Sequence, residues 1–381
     1  MANNILILNS YFLPGFKGGG PVKSINNIVK NLYKEFNFYI LTSDRDLNDE
    51  RRYEGIEINK WIDKDIYKIC YIDVKHISFS EYKNIMNSVD FSYIYMNGFF
   101  SPTFTIKPMI LRKLGFTKCK NVIVCPRGDF SPGHLKIKAL KKYGYILFAK
   151  LTSLYNGVIW HSTSELETKH ILKLYKNAKI RVASNLPHEK PLADKLMEKE
   201  KKKDELKLVF ISRLVPKKNL AFALQCLQYI DTGKIDFHIY GPKESLEYWK
   251  QCEELIKSIK GNIKVSYKGE LNQSEVVDTL ALYHGFLFPT LGENYGHVIV
   301  EAMLAGCVPI ISDETPWREL RDKEVGWDIS LSHREEFIEA IVTLLSMDKK
   351  EFNKYSNNAY RYILSKSNYK EILEQTKNLF K

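Results

Sequence analysis

Short apolar runs rich in Ile, Val, Tyr and Phe alternate along the chain with longer amphipathic stretches. Runs of about four to eight such residues, bounded by polar or turn residues, read as buried strands. They are expected to begin at Ile5, Phe38, Tyr93, Val122 and Val158, and in a second series near Leu208, Phe237, Ile263, Phe286 and Pro309. Helical patterns lie between them. Val22, Ile25, Ile28, Val29, Leu32 and Phe36 recur at the spacing of one helix face, with Lys23, Lys30 and Lys34 away from it. Strand–helix alternation, twice over, predicts two parallel-sheet α/β domains. The segment Lys195–Asp204 has almost no apolar content and reads as a solvated linker or an exposed helix. Residues 1–190 then form a first domain, 191–205 the linker and 206–363 a second domain. The tail 364–381 has Tyr369, Ile372, Leu373 and Leu379 as its apolar positions. It is expected to be helical and to pack back on the first domain.

Length and composition narrow the class. A chain of 381 residues is too long for one ordinary domain, and 44% hydrophobic with 27% charged residues is globular composition. Disordered and fibrous classes are excluded. The six cysteines at 70, 119, 125, 226, 252 and 307 show no C-x-x-C pair, and the nine histidines no ligand spacing. Neither a metal site nor a secreted disulfide framework is expected, and a reducing cytoplasm is the natural setting. No run approaches the roughly 20 apolar residues of a membrane span. The first ten residues read as a strand, not a signal peptide. The protein is therefore expected to be soluble, or attached to a membrane only at its surface.

The net charge of +12 is uneven: residues 1–190 carry +13 and residues 191–381 carry −1. A basic half suits an anionic partner such as nucleic acid, a phosphorylated ligand or acidic lipid. Biased composition, with 46 Lys against 11 Arg, also raises charge but does not explain the asymmetry. No recognition helix or stacking-and-basic RNA motif is evident, so nucleic acid is not expected.

Four segments carry candidate chemistry. Gly15-Phe16-Lys17-Gly18-Gly19-Gly20-Pro21 lies between the first strand and first helix. Its glycines, Gly19 and Gly20 among them, permit close approach of a ligand, and Pro21 suits a helix start whose amides attract anions. A flexible surface turn is the plainer alternative. Ser212-Arg213-Leu214-Val215-Pro216-Lys217-Lys218 follows the first strand of the second domain. Arg213 and Lys218 stand at the ligand side of an open α/β sheet, where two cations suit a diphosphate, although such a loop is often only solvated. Glu293-Asn294-Tyr295-Gly296-His297-Val298-Ile299-Val300-Glu301 follows an apolar strand and opens a helix near Tyr295. Glu293 at its amino end and Glu301 about two turns on are placed to reach one ligand, and paired carboxylates suit sugar or ribose hydroxyls. Finally, Arg127 in Pro126-Arg127-Gly128-Asp129 either faces the space between the domains or pairs with Asp129. The helix beyond it puts Ile137, Leu140, Gly144, Leu147 and Leu151 on one face and Lys138, Lys141, Lys142 and Tyr145 on another. That second face is compatible with lipid headgroups, or is simply solvated.

Taken in order, these segments resemble glycosyltransferase family 4. The Gly-rich loop at 18–20, the run Ser212–Lys218, the E-x7-E pair Glu293/Glu301 and Ala305-Gly306-Cys307-Val308-Pro309 followed by Glu319 carry the resemblance over almost the whole chain. Pro126-Arg127-Gly128, His161-Ser162-Thr163-Ser164-Glu165 and Asp313–Arg318 are similar to a subgroup that builds bacterial surface polysaccharides. The resemblance implies a GT-B fold, two Rossmann-like domains facing across a cleft, and retaining transfer without metal or cofactor. The donor substrate would be a nucleoside-diphosphate sugar, a UDP-sugar before a GDP-sugar. Arg213 and Lys218 would hold its diphosphate, Glu293 the transferred sugar and Glu301 the ribose, supported by the amides of Asn294, Tyr295, Gly296, His297 and Val298. Relatives often have a His that touches the donor sugar where this chain has Arg127, the second catalytic candidate. The acceptor would be a lipid-linked or oligosaccharide glycan, met at the anionic inner face of the cytoplasmic membrane. Two alternatives remain from the sequence: a GT-B nucleotide-sugar epimerase, and a non-catalytic basic membrane-binding scaffold.

Overall fold

The apolar runs pair as two separate parallel sheets in a computed structural model, which describes residues 2–186, 196, 198–259, 261–272, 275–366 and 369–381. The chain divides into a first unit, residues 1–189 and 369–381, and a second unit, residues 190–368.

In the first unit the strands are β1 (Asn3–Asn9), β2 (Phe36–Ser43), β3 (Trp61–Asp63), β4 (Lys68–Ile72), β5 (Tyr93–Asn97), β6 (Val122–Cys125), β7 (Ile159–Ser162) and β8 (Lys179–Val182). Their order across the sheet is β3-β4-β2-β1-β5-β6-β7-β8, parallel except where β3 runs against β4. The helices are α1 (Gly20–Leu32), α2 (Phe79–Met86), α3 (Lys107–Lys113), α4 (Pro132–Lys136), α5 (Ala139–Leu151) and α6 (Glu165–Leu174). Strand β1 shows why its run is apolar throughout. Leu6 and Leu8 pack into one core layer and Ile5 and Ile7 into the opposite one, all fully buried. A strand with a helical layer on each face has no polar side to alternate with. Helix α1 ends at Leu32; Phe36, read from periodicity as part of its face, instead opens β2.

The second unit contains β9 (Glu205–Ile211), β10 (Lys234–Tyr240), β11 (Ile263–Tyr267), β12 (Gly285–Phe288), β13 (Val308–Ser312) and β14 (Trp327–Ile329). Their order is β11-β10-β9-β12-β13-β14 and every pairing is parallel. Its helices are α7 (Leu220–Leu227), α8 (Leu246–Lys257), α9 (Val276–Ala281), α10 (His297–Leu304), α11 (Arg334–Ser346) and α12 (Lys349–Lys366). The stretch read as a solvated linker is in part anchored here, although residues 191–195 and 197 lie outside the described residues. Lys199 Nζ donates to the Tyr283 carbonyl at 2.7 Å. Lys201 is 4% exposed, and its ammonium donates to the carbonyls of Lys202, Leu345 and Met347. The last carbonyls of α11 lack helical partners, and a lysine supplies both the donor and the charge they favour. Burial lowers the Lys201 pKa to about 8.

The tail is divided. Residues 364–366 complete α12 in the second unit, Ser367 lies outside the described residues, and α13 (Tyr369–Lys377) belongs to the first unit. Phe380 is fully buried there, edge-on to Phe36, Phe38 and Tyr93. Phe380→Leu keeps most of the apolar volume and loses the ring contacts. It is expected to cost the first unit about 1–2 kcal/mol in urea unfolding.

Candidate active site

Both sheets reverse their strand order at one point, and candidate residues gather beside it. In the second sheet the reversal falls between β9 and β12. Loops leaving the carboxyl ends of neighbouring parallel strands on either side of such a point form a natural ligand crevice.

Three loops are tied together there. After β9, Leu214 is fully buried and donates its amide to Pro242 O, which leaves Arg213 at the surface of the loop. Gly241 lies against this turn: at φ 133°, a Cβ there would sit 1.8 Å from the Ser212 carbonyl oxygen. A short 3-10 turn, Pro216–Lys218, follows and ends at Asn219 in the left-handed region. Asn219 Nδ2 donates to Pro289 O at 2.9 Å, and Lys217 O accepts the Leu291 amide at 2.9 Å and the Thr290 hydroxyl at 3.2 Å. The loop after β13 joins through Ser312 Oγ to Thr290 O and through the Glu293 amide to Glu314 O.

This lacing brings Lys218 Nζ onto Glu293 Oε1 in an ion pair, with the ammonium also 5.5 Å from the centre of the Phe288 ring. The pair is largely buried, with side-chain exposures of 15% and 14%. Burial alone would raise the Glu293 pKa. The charge of Lys218 overcomes it, followed by Lys217 and Arg213, so the carboxyl is held below its ordinary range. Glu293 is therefore a carboxylate at neutral pH. Arg213 pairs with Glu244 at 3.1 Å. Glu244 was not among the sequence candidates; the signal available was Gly241-Pro242, a turn directly after β10.

Helix α10 starts later than its sequence pattern suggests. Gly296, at φ 73°, caps it, and Tyr295 is drawn out of the helix into the core, where its carbonyl accepts the Trp317 indole at 2.6 Å. His297 is the first helical residue, followed by Val298, and Asn294 lies in the approach. Glu301 is thus little more than one turn into the helix, not two, and is half-buried.

In the first unit the reversal falls between β1 and β5. Gly19, at φ 65°, caps α1; a Cβ there would meet nothing, but the backbone angle would be strained. Gly20 is the first helical residue, followed by Pro21. Asp46 holds the loop by accepting the amides of Phe16 and Lys17. Arg127 lies after β6 in the left-handed region. It does not pair with Asp129, which accepts the Phe99 amide at 2.7 Å and meets His134 at 3.3 Å. Its guanidinium instead donates to Asn97 Oδ1 at 2.5 Å, to Asn185 Oδ1, and to the Tyr95 hydroxyl at 3.1 Å. The Tyr95 hydroxyl donates in turn to His161 Nδ1 at 2.8 Å, and His161 Nε2 donates to Ala183 O at 2.8 Å. Glu167 is buried and accepts Gly128 N, Thr163 N and the Thr163 hydroxyl, joining the loops after β6 and β7. Burial is the main cause that raises its pKa. The network is assembled from residues up to about ninety positions apart, which no local motif announces.

His161, and His284 in the second unit, are buried and neutral. Burial, then the nearby Arg127 cation, lowers His161 to about 3. Burial likewise lowers His284 to about 4, against its bond to Glu200 O and with Lys201 and Lys199 adding to the shift. Unfolded, each takes up a proton near pH ~6.5. Stability from these groups is therefore full above about pH 6.5 and falls as the pH drops toward 4, by about 1.4 kcal/mol per unit for each histidine. Urea unfolding at pH 7 and 5 is expected to show this, with a shallower pH slope in His161→Asn. An unchanged slope would refute the assignment.

Among the described residues, no group of three His, Cys, Asp or Glu side chains is placed to hold a metal ion. No helix among them is long and apolar enough to cross a membrane. All six cysteines are buried thiols.

Residues 193–362 match the model of the family Glycosyl transferases group 1. No curated protein matches the chain by sequence. Solved structures match it over nearly its whole length. Sucrose-phosphate synthase from Thermosynechococcus elongatus superposes with a TM-score of 0.75 at 14% identity, covering 99% of this chain and 98% of that one. HepE from Anabaena, solved with UDP and glucose, gives 0.70 at 14% identity, covering 99% and 98%. WaaG, described as a glycosyltransferase involved in lipopolysaccharide biosynthesis, gives 0.67 at 12% identity, covering 99% of both. These likenesses show the fold, which is GT-B. The match of residues 193–362 to the Glycosyl transferases group 1 model supports a glycosyltransferase.

Proposed function

We propose that the protein is a retaining glycosyltransferase that moves a sugar from a nucleoside-diphosphate sugar to a lipid-linked glycan in bacterial surface-polysaccharide synthesis. The observation that carries this reading is the convergence of Arg213, Lys218 and Glu293 at the strand reversal of the second sheet. Two cations beside a buried carboxylate suit a diphosphate joined to a sugar. Before the donor arrives, Lys218 keeps Glu293 charged. The donor diphosphate then competes for Lys218 and leaves Glu293 to accept from sugar hydroxyls. Arg213 and Lys218 stabilise the leaving diphosphate, Glu301 accepts from the ribose, and the amides of 294–298 assist. Attack on the face the diphosphate leaves retains the anomeric configuration. In the first unit, Arg127, fixed by Asn97 and Asn185, is the candidate for a sugar contact, and Gly19 and Gly20 let the protein backbone approach a ligand closely. UDP is the favoured nucleotide, supported by two structural neighbours solved with UDP, HepE from Anabaena and TarM from S. aureus. The excess charge of the first half supports an acceptor held at an anionic membrane surface.

Incubation with radiolabelled UDP-sugars, with and without a bacterial lipid-linked oligosaccharide fraction, tests the reading. Free UDP and labelled lipid are expected only when both substrates are present. Release of nucleotide without acceptor, with epimerised sugar, would replace it by the epimerase alternative.

A further inference from the structure

Helix α5 is built inside out. Toward the core it buries Ile146 and Ala149, while the Tyr145 hydroxyl meets that of Tyr155 at 2.7 Å. Its other side carries Leu140, Tyr143, Leu147, Phe148 and Leu151, exposed by 93, 52, 58, 48 and 78%. Positions 140, 143, 147, 148 and 151 follow the spacing of a single helical stripe, so these side chains form one continuous ridge. Scattered apolar residues are normal on a surface, but a contiguous stripe of this kind marks a contact. The stripe includes the face that the sequence pattern assigned as apolar, and the structure turns it outward. Lys142 leaves the basic face expected of it: its ammonium donates to His134 O and lies 5.4 Å from the centre of the Phe100 ring.

The charge around the ridge identifies the partner. Between Asp129 and Glu165 there is no carboxylate side chain, whereas Lys136, Lys138, Lys141 and Lys150 are all exposed there. A second copy of the chain would set these lysines against themselves. An anionic bilayer takes the leucines into its acyl boundary and the ammonium groups at its phosphates, with Tyr143 at the headgroup level. We propose that α5 is the membrane-inserting element of the first unit. It would lie in the plane of the bilayer interface, roughly 20 Å long at 1.5 Å per residue. The inference deepens the membrane reading above by placing it on this helix and by making leucine burial, not charge alone, the source of the hold.

The test is cosedimentation with vesicles of phosphatidylglycerol and phosphatidylcholine. Wild type is expected to bind, and to keep part of that binding at about 0.5 M salt, where exposed charges are screened within a few ångströms. The Leu140→Ser/Leu147→Ser/Leu151→Ser variant is expected to lose about tenfold or more in affinity. Leu246→Ser/Leu282→Ser, which alters two second-unit leucines each 68% exposed, is expected to bind as wild type. Gly144 lies on the outward side with open space at its Cβ, and the native cysteines are buried. An environment-sensitive label on Gly144→Cys is therefore expected to shift blue on vesicles. Binding of the triple variant equal to wild type, or no shift of the label, would overturn the inference. So would a change in oligomeric state of the triple variant with vesicle binding untouched, which would assign the ridge to a second copy. Vesicle binding is read without donor or acceptor. A chain that binds through α5 but transfers no sugar would therefore refute only the transfer reading.

Discussion

Lys218→Ala is expected to destabilise the second unit by about 3 kcal/mol or more and to remove tight binding of nucleoside diphosphate. Breaking a buried ion pair from one side leaves the other charge uncompensated, at about 3–5 kcal/mol. Here that charge is Glu293, whose carboxylate depends first on Lys218 to offset burial. Without the ammonium, burial pushes its pKa up and the group takes a proton. Because the Glu293 pKa is depressed in the folded protein, its contribution is present above the ordinary carboxylate range and is lost as pH falls through the lowered value. The difference between wild type and Lys218→Ala should therefore shrink at acid pH. Lys218→Met/Glu293→Gln removes both charges and should recover most of the stability but none of the nucleotide affinity. Urea unfolding and calorimetry read the two effects separately. Equal stability of wild type and Lys218→Ala would show that the pair is not coupled as described.

Glu293→Gln is expected to lower turnover by about 10²–10³-fold, the scale of losing one polar partner of a transition state. The substitution keeps size, removes the charge and turns one of the two acceptor oxygens into an N–H donor. It also releases Lys218, so UDP affinity should equal or exceed that of wild type. Glu301→Gln should behave differently, weakening UDP itself by about tenfold through its ribose contact. Initial rates and calorimetry on the two variants check this. Equal loss of UDP affinity in both would refute the division of labour between sugar and ribose.

Much of this arrangement can be read from apolar runs because parallel strands covered on both faces have almost no polar positions. All ten expected strands are present, within about three residues of the expected starts. Three of the remaining four do not have that pattern: β3 and β14 have three residues each, and β8 alternates Lys179-Ile180-Arg181-Val182 at a sheet edge. The fourth, β4, does have it in Ile69-Cys70-Tyr71-Ile72, a buried apolar run absent from the expected series. The loop motifs likewise place Arg213, Lys218 and Glu293 beside strand ends, where backbone geometry constrains the local sequence. Their partners are set by tertiary structure. Lys218 and Glu293 are 75 residues apart, and Arg127 and Asn185 are 58 apart. The inward turn of Lys201 and the outward turn of Leu140 have the same cause. Three carbonyls draw the Lys201 ammonium inward while Leu140 stays 93% exposed, and neither outcome can be read from the residue type alone.

Calorimetric titration of UDP into wild type and Arg213→Ala tests the central claim, that the second unit is a nucleoside-diphosphate site. Arg213 is half-buried and paired only through Glu244 among its described contacts, so its removal should leave the fold intact. One UDP is expected to bind per wild-type chain, and Arg213→Ala is expected to bind it about tenfold or more weakly, the value of a charged hydrogen bond to phosphate. No binding heat for wild type, or equal affinity in the two proteins, would contradict the account.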